Sequence, residues 1–161
     1  MKYCPKCSAA LVHKRIDGRE RLCCSDTACG YVFWNNPVPV VAIVAETADG
    51  IVLAHPKLAP AGIFSVITGF LESGETPEHA AIRELKEELG LDAEAVAFIG
   101  VYAFEKANQV VMAYHIKTSG DIKLNEELDE YRVVAHEQLY RWTETGKFEV
   151  GEWLKRLNVF E

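Results

Sequence analysis

No stretch of this 161-residue chain approaches the ~18 consecutive apolar residues that a membrane-spanning helix needs, so the sequence offers no transmembrane candidate. The opening MKYCPKCS lacks the apolar core of a secretory signal, and the expected compartment is the cytoplasm. Cysteine is absent after position 29. All five lie in the first 34 residues, and an odd number in a reducing compartment argues against a disulfide framework. There is no internal repeat and no low-complexity tract, which excludes solenoids and tethering segments. Positive charge is also scarce: 17 Lys and Arg stand against 24 Asp and Glu, for a net charge of −7. Such a balance argues against broad nucleic-acid binding, and it would repel a phosphate ligand unless bound cations neutralised the site.

What is present describes an ordinary globular protein, with 49% hydrophobic and 25% charged residues. A chain of this length buries about 68–70% of its unfolded surface, enough for one main domain and a small appendage. The charge is unevenly placed. Lys2, Lys6, Lys14, Arg15, Arg19 and Arg21 against Asp17, Glu20 and Asp26 leave residues 1–34 at +3, and the 11 basic and 21 acidic residues that follow leave −10.

The rest of the chain is organised around Gly69 to Leu91, GFLESGETPEHAAIRELKEELGL. Gly69, Glu72, Gly74 and Glu75 read as a loop. Thr76 is placed to cap a helix, Pro77 suits its first turn, and Gly90 closes it as a left-handed cap. At about 100° per residue, Ala81, Ile82, Leu85 and Leu89 form one apolar arc and Glu84, Glu87 and Glu88 the arc beside it. Like charges at i and i+4 oppose helix formation by about 0.2–0.5 kcal/mol. Three carboxylates there are a poor stabilising device and a good cage for a hard divalent cation; the plainer alternative is a solvated acidic face.

The same stretch resembles the Nudix hydrolase signature, G-x5-E-x7-R-E-U-x-E-E-x-G-U with U aliphatic. Gly69, Glu75, Arg83, Glu84, Leu85, Glu87, Glu88, Gly90 and Leu91 occupy all nine constrained positions. The resemblance is strong over the box and extends less specifically over Val38 to Glu161. It implies Mg2+- or Mn2+-dependent hydrolysis of a nucleoside diphosphate linked to another group. It further implies that Glu84, Glu87 and Glu88 are the metal ligands, with the Gly69 carbonyl as a fourth. Glu87, or a glutamate from a distant loop, would be the general base. Arg83 would orient Glu87, and Glu75 would support the loop or reach the metal through water. Glu127 and Glu130 stand where related proteins carry an extra acidic group. Glu105 and Gln109 could reach the site. Phe64, Phe70, Tyr102, Phe104 and Tyr114 include candidates for stacking on a base, although core packing explains aromatics at least as well.

In the N-terminal segment, Cys4-Pro-Lys-Cys7 is a knuckle that aims two thiolates at one ion. Cys24-x4-Cys29 gives the better second pair by spacing, although the SDTA spacer leaves Cys23 open as an alternative to Cys24. A closed Cys4, Cys7, Cys24, Cys29 set would hold a structural Zn2+, and the RLCC and CGY contexts resemble the zinc ribbon that precedes some Nudix domains. His13 is a spare ligand or a surface residue of the hairpin. The expected organisation is a zinc ribbon over 1–34, an extended linker NNPVPV over 35–40, and a Nudix domain over 35–161. VVAIVAE with IVLAH, and AEAVAFIGVYAF with QVVMAYHIK, read as strand pairs. YRVV reads as a short strand, and HEQLYRW and EVGEWLKRL as C-terminal helices. The expected class is α/β: a Nudix-type α/β/α sandwich around a mixed sheet, preceded by the small ribbon.

Ribbon plus box resembles the NADH pyrophosphatase group, whose S-Q-P-W-P-F-P-x-S array is missing after Leu91. NAD(H) is therefore one expected substrate beside ADP-ribose, other nucleoside diphosphate sugars, dinucleoside polyphosphates and nucleoside triphosphates. The competing reading is a non-catalytic nucleotide sensor or adaptor that acts through the basic ribbon on nucleic acid or a protein. An allylic diphosphate isomerase would need a catalytic cysteine outside the ribbon. The expected partner is a nucleotide-type small molecule, with neither a membrane nor nucleic acid among the expected partners, and with a homodimer left open.

Overall fold

The computed structural model describes residues 1–135. The two segments read as C-terminal helices, HEQLYRW and EVGEWLKRL, lie outside the described residues. The chain divides into two compact units, Met1–Pro37 and Val38–Glu161. Among the described residues no helix is long and apolar enough to cross a membrane.

The first unit is an antiparallel sheet of β1 (Leu11–Ile16), β2 (Arg19–Cys24) and β3 (Val32–Phe33) in that order. The β1–β2 turn uses Asp17 and Gly18, both with positive φ. Only Cys4, Cys23 and Cys24 are buried in this unit. With no aliphatic or aromatic side chain enclosed, the unit has no hydrophobic core of its own.

The second unit is built on β4 (Val38–Thr47), β5 (Gly50–Pro56), β6 (Ile67–Phe70), β7 (Asp92–Phe104), β8 (Gln109–Ser119) and β9 (Leu128–Val134), with α1 (Pro77–Leu89) between β6 and β7. The sheet order is β7-β8-β4-β5-β9, with β6 paired to β4. It is mixed, since β4 and β8 are parallel and the other pairs antiparallel. One edge of β4 serves two strands end to end: β6 against Val40–Ile43 and β5 against Ala45–Thr47.

Three expectations are corrected here. The linker ends at Pro37, because Val38 and Pro39 already pair with β8. Proline is tolerated at 39 because the pairing of β4 with β6 begins only at Val40, so no ladder bond requires its missing N–H. Gly69 belongs to strand β6, opposite Val41, and not to the loop. On α1 the buried residues are Ala80, Ala81, Leu85 and Leu89, while Ile82 is only half-buried. The buried stripe is therefore rotated towards Ala80.

Both faces of β4 are enclosed, which explains why Val40–Ala45 is continuously apolar and does not alternate. Val41, Ile43 and Ala45 face α1 through Leu85 and Leu89. Val40, Ala42 and Val44 pack with Ile51, Leu53, Val111 and Phe64 on the other side. Leu85 and Leu89 are fully buried, and truncating either to alanine should lower stability by about 2–5 kcal/mol.

Candidate active site and metal centre

Helix α1 starts and stops on side-chain and backbone chemistry visible in the sequence. The Thr76 hydroxyl accepts a hydrogen bond from the His79 N–H at 3.2 Å, Pro77 opens the first turn, and Gly90 adopts φ 70° with its N–H donating to the Lys86 carbonyl. The helix thereby presents Arg83, Glu84, Glu87 and Glu88 beside its buried stripe.

Arg83 is the hub of this face. Its guanidinium donates to Glu75 at 2.8 and 3.2 Å, to Glu84 at 2.8 Å, to Glu87 at 3.0 Å and to the Phe70 carbonyl at 3.0 Å. Glu75 also accepts from the Glu72 N–H, tying the loop before α1 to the helix. Arg83 and the Glu72 N–H hold the Glu75 carboxyl below its ordinary range. Burial pushes Glu84 up, and Arg83 only partly offsets it.

Glu88 is different. It has no cationic partner among the described residues. Burial first, then the charges of Glu84, Glu127 and Glu87, push its carboxyl up to about 7. It lines a cavity of about 160 Å³ with Ser65, Thr68 and Glu127. Carboxylates that repel one another at the rim of a hollow are what a hard divalent cation would relieve, and oxygen donors suit Mg2+ or Mn2+. No three of these carboxylates bring an oxygen each within 4.8 Å of one another, however. Among the described residues the one group of four possible ligands whose donor atoms lie within 4.8 Å is the cysteine set. The reason is visible: Arg83 binds Glu84 and Glu87 on one side, while Glu88 turns to the cavity.

Gly69 lies against this cluster. A Cβ at position 69 would fall 2.0 Å from Cδ of Glu84 and 2.1 Å from its Oε1, so the missing side chain is the space in which the Glu84 carboxylate rests. The clash is with the far end of a flexible side chain. Gly69→Ala should therefore fold with a near-normal melting temperature while displacing Glu84, and the activity proposed below should fall by about 10²-fold. A kcat and Mg2+ dependence equal to those of the unmodified protein would rule out this role for Gly69.

The cavity's other walls come from cross-strand neighbours that no local spacing reveals: Ser65 and Thr68 around β6, and Ala54 and Pro56 on β5. The segment entering β6 is pinned by His55, which is buried. Its Nδ1 lies 2.7 Å from Oδ1 of Asp129 and its Nε2 3.2 Å from the Pro60 carbonyl. Both ring nitrogens face acceptors, so the imidazolium is favoured and the pKa is raised, chiefly by Asp129. Arg132 stacks over Phe64 at 3.9 Å, which places that ring in the core. Tyr114 is buried as well, whereas Phe70 and Phe104 are exposed and Tyr102 is half-buried. Glu130 pairs with Arg132, and Glu105 begins the short turn between β7 and β8.

In the first unit, Cys4, Cys7, Cys24 and Cys29 bring their sulfur atoms together, with Cys7 Sγ 3.4 Å from Cys24 Sγ and Cys4 Sγ 3.7 Å from Cys29 Sγ. Cys23 points elsewhere, its thiol donating to the Arg21 carbonyl at 3.5 Å. β-Strand alternation explains the choice: neighbouring residues of β2 face opposite sides of the sheet. Burial and the Cys7 thiol push Cys24 up to about 12. Burial would raise Cys4 too, but the N–H groups of Lys6 and Cys7 and the neighbouring thiols lower it to about 7. Four thiols so placed cannot all ionise without a cation among them, and four sulfur donors suit a tetrahedral ion. His13 is exposed and lies 2.9 Å from Glu20, outside the cluster.

The family model of the NUDIX domain matches residues 36–157. The NAD-capped RNA hydrolase NudC of Stutzerimonas stutzeri is 26% identical over 134 residues, covering 81% of this chain and 47% of the relative. That of Haemophilus influenzae is 30% identical over 129 residues, covering 78% and 47%. The chain spans about half the length of the curated relatives it matches. A NUDIX hydrolase from Nitrosomonas europaea has a similar structure, with a TM-score of 0.79 at 27% identity over 96% of this chain and 89% of that one. A Caenorhabditis elegans Ap4A hydrolase shares the fold, with a TM-score of 0.60 at 21% identity over 75% of this chain and 96% of that one. With a mixed sheet, one capped acidic helix and a family match across most of its length, the chain belongs to the NUDIX domain family.

Proposed function

We propose that the second unit hydrolyses the pyrophosphate bond of an NAD-like dinucleotide with the help of a divalent cation, Mg2+ or Mn2+. The relatives named as NAD-capped RNA hydrolases extend that substrate class to a dinucleotide joined to an RNA chain. The observation that carries the reading is the placement of Glu88: a half-buried carboxylate lining the hollow with Glu127, next to Glu84 and Glu87 on α1, with no cationic partner among the described residues.

Glu84, Glu87 and Glu88, with the Gly69 carbonyl, would hold the cation. When bound, it would neutralise phosphate charge and acidify the attacking water. The chain's own residues supply the rest. Glu87, exposed at the end of the Arg83 network, accepts the proton of the attacking water. Arg83 fixes the angle of Glu84 and Glu87, and its link to Glu75 keeps the loop in place. The water oxygen bonds to phosphorus, the bridging P–O bond breaks, and its electron pair leaves on the departing phosphate. Aligning the attacking oxygen and stabilising charge account for catalysis here, with no covalent intermediate. In the first unit, Cys4, Cys7, Cys24 and Cys29 would hold a structural Zn2+. A closed set of four thiolates leaves no position for substrate.

The test is a panel of NADH, NAD-capped RNA, ADP-ribose, diadenosine polyphosphates and nucleoside triphosphates, each with Mg2+, Mn2+ or excess chelator. NADH or the capped RNA should be cleaved to two monophosphates with either ion and not with chelator. Failure to cleave any member under all conditions would end the reading.

A further inference from the structure

We propose that one face of the β1–β2–β3 sheet is a docking surface for single-stranded RNA. The inference rests on the function proposed above only in choosing RNA as the strand that such a substrate carries.

The pairing register sorts the side chains of this small sheet. Val12 pairs with Cys23, Lys14 with Arg21 and Ile16 with Arg19, so these six share a face. Val32, opposite Cys23, extends that face, and Trp34 follows it two residues on. Leu11, His13, Arg15, Glu20 and Leu22 belong to the other face by the same register. The acidic residue of the hairpin strands, Glu20, is therefore on the opposite side, where it meets His13 at 2.9 Å. Charge counts for residues 1–34 hide this: the Lys14 face carries three cations and no carboxylate from the strands.

The face also carries an aromatic platform. Trp34 is 44% exposed, and Arg21 holds it by stacking its guanidinium 5.0 Å from the ring centroid and donating to the Trp34 carbonyl. Lys14 and Arg19 are exposed. The Lys14 ammonium makes a 3.4 Å bond to the Cys24 carbonyl and keeps its remaining protons for a phosphate. Cations spaced along a strand beside an exposed ring are the elements of sequence-tolerant recognition, in which phosphates meet the cations and a base stacks on the ring. A duplex hides its bases and offers that ring nothing. The charge complementarity is local, since the remainder of the chain is strongly acidic.

Fluorescence anisotropy of a labelled 12-nucleotide RNA with the full zinc-loaded chain tests this, at about 50 and 200 mM salt, with a 12-base-pair RNA duplex as comparison. The single strand should bind more tightly than the duplex, and its affinity should fall with salt as a few phosphate contacts require. The double substitution Lys14→Glu and Arg19→Glu should weaken binding at least tenfold. Trp34→Ala should weaken single-strand binding about tenfold and leave duplex binding unchanged, while Trp34→Phe should restore most of it. Each variant must retain one zinc per chain and unaltered hydrolysis of free NADH. Those controls separate failure of this surface from failure of the proposed reaction. Absence of binding at 50 mM salt, or equal binding of both RNA forms with no effect of Trp34→Ala, would overturn the proposal.

Discussion

Glu88→Gln should reduce dinucleotide hydrolysis by about 10²–10³-fold or more, the scale of removing one preorganised charge-stabilising group, and should also raise the melting temperature of the metal-free protein at pH 8. The two effects have one cause. Burial and three neighbouring carboxylates raise the Glu88 carboxyl to about 7 in the folded state, against an ordinary value near 4.5. Between those values the folded protein holds a proton that the unfolded chain has lost, so stability falls as pH rises through the window. Above it the full penalty applies. Glutamine is close to an isostere and carries no charge, so the penalty disappears together with the ability to hold a cation. The unmodified protein without metal should therefore be more stable near pH 5 than near pH 8, and Mg2+ should narrow the gap. Thermal melts of the zinc-loaded protein with and without added Mg2+ across this range, paired with kcat, provide the measurement. Undiminished turnover in Glu88→Gln would eliminate the cation site. A flat pH profile in the metal-free protein would show that Glu88 is not strained by its neighbours.

Zinc removal should have an even larger structural effect on the first unit. Only three of its side chains are buried, and all are cysteines. Structural zinc in domains of this size supplies on the order of 10–16 kcal/mol of apparent binding free energy, while the enclosed apolar surface here supplies almost nothing. Stripping the ion, or Cys7→Ser or Cys24→Ser, should collapse the dispersed amide resonances of residues 1–37 and leave those of β4–β9 in place. Cys23→Ser should retain one zinc per chain, since its thiol is turned to the Arg21 carbonyl. A first unit that stays folded without metal, or a Cys23→Ser protein that loses its zinc while Cys24→Ser keeps it, would refute the assignment.

Much of the second unit was legible because its signals are local. The cap on Thr76, the proline after it and the left-handed glycine at 90 each concern groups within four residues, and α1 has the bounds they imply. Strand pairs flanking TADG and EKAN were legible for the same reason. What could not be read depends on residues far apart in sequence. That Gly69 lies in β6 is determined by pairing with Val41, and that it is glycine by the Glu84 carboxylate. Helical phase put Glu84, Glu87 and Glu88 on one arc, but an arc is not a coordination shell. Arg83 engages two of them, and the third turns to a hollow shared with Glu127. Spacing alone left Cys23 and Cys24 open, and strand pairing separates their thiols.

The hand-over on β4, where β6 gives way to β5 along a single edge, has an implication for how this scaffold can diverge. The chain must leave the sheet after Pro56 and rejoin it at Ile67, and the hollow opens where the two strands meet. Among the fastenings of the tether across that gap are the Ala54–Ser65 bridge, the His55 clamp on Pro60, the Lys57 N–H donating to the Glu127 carbonyl, and Phe64 and Val66 in the core. Leu58 at its crest is fully exposed. Lengthening a loop is thermodynamically mild, about 0.6 kcal/mol for each doubling. Insertions near Leu58 would thus remodel the rim of the hollow, and with it the set of molecules admitted, while the acidic helix opposite keeps its shape.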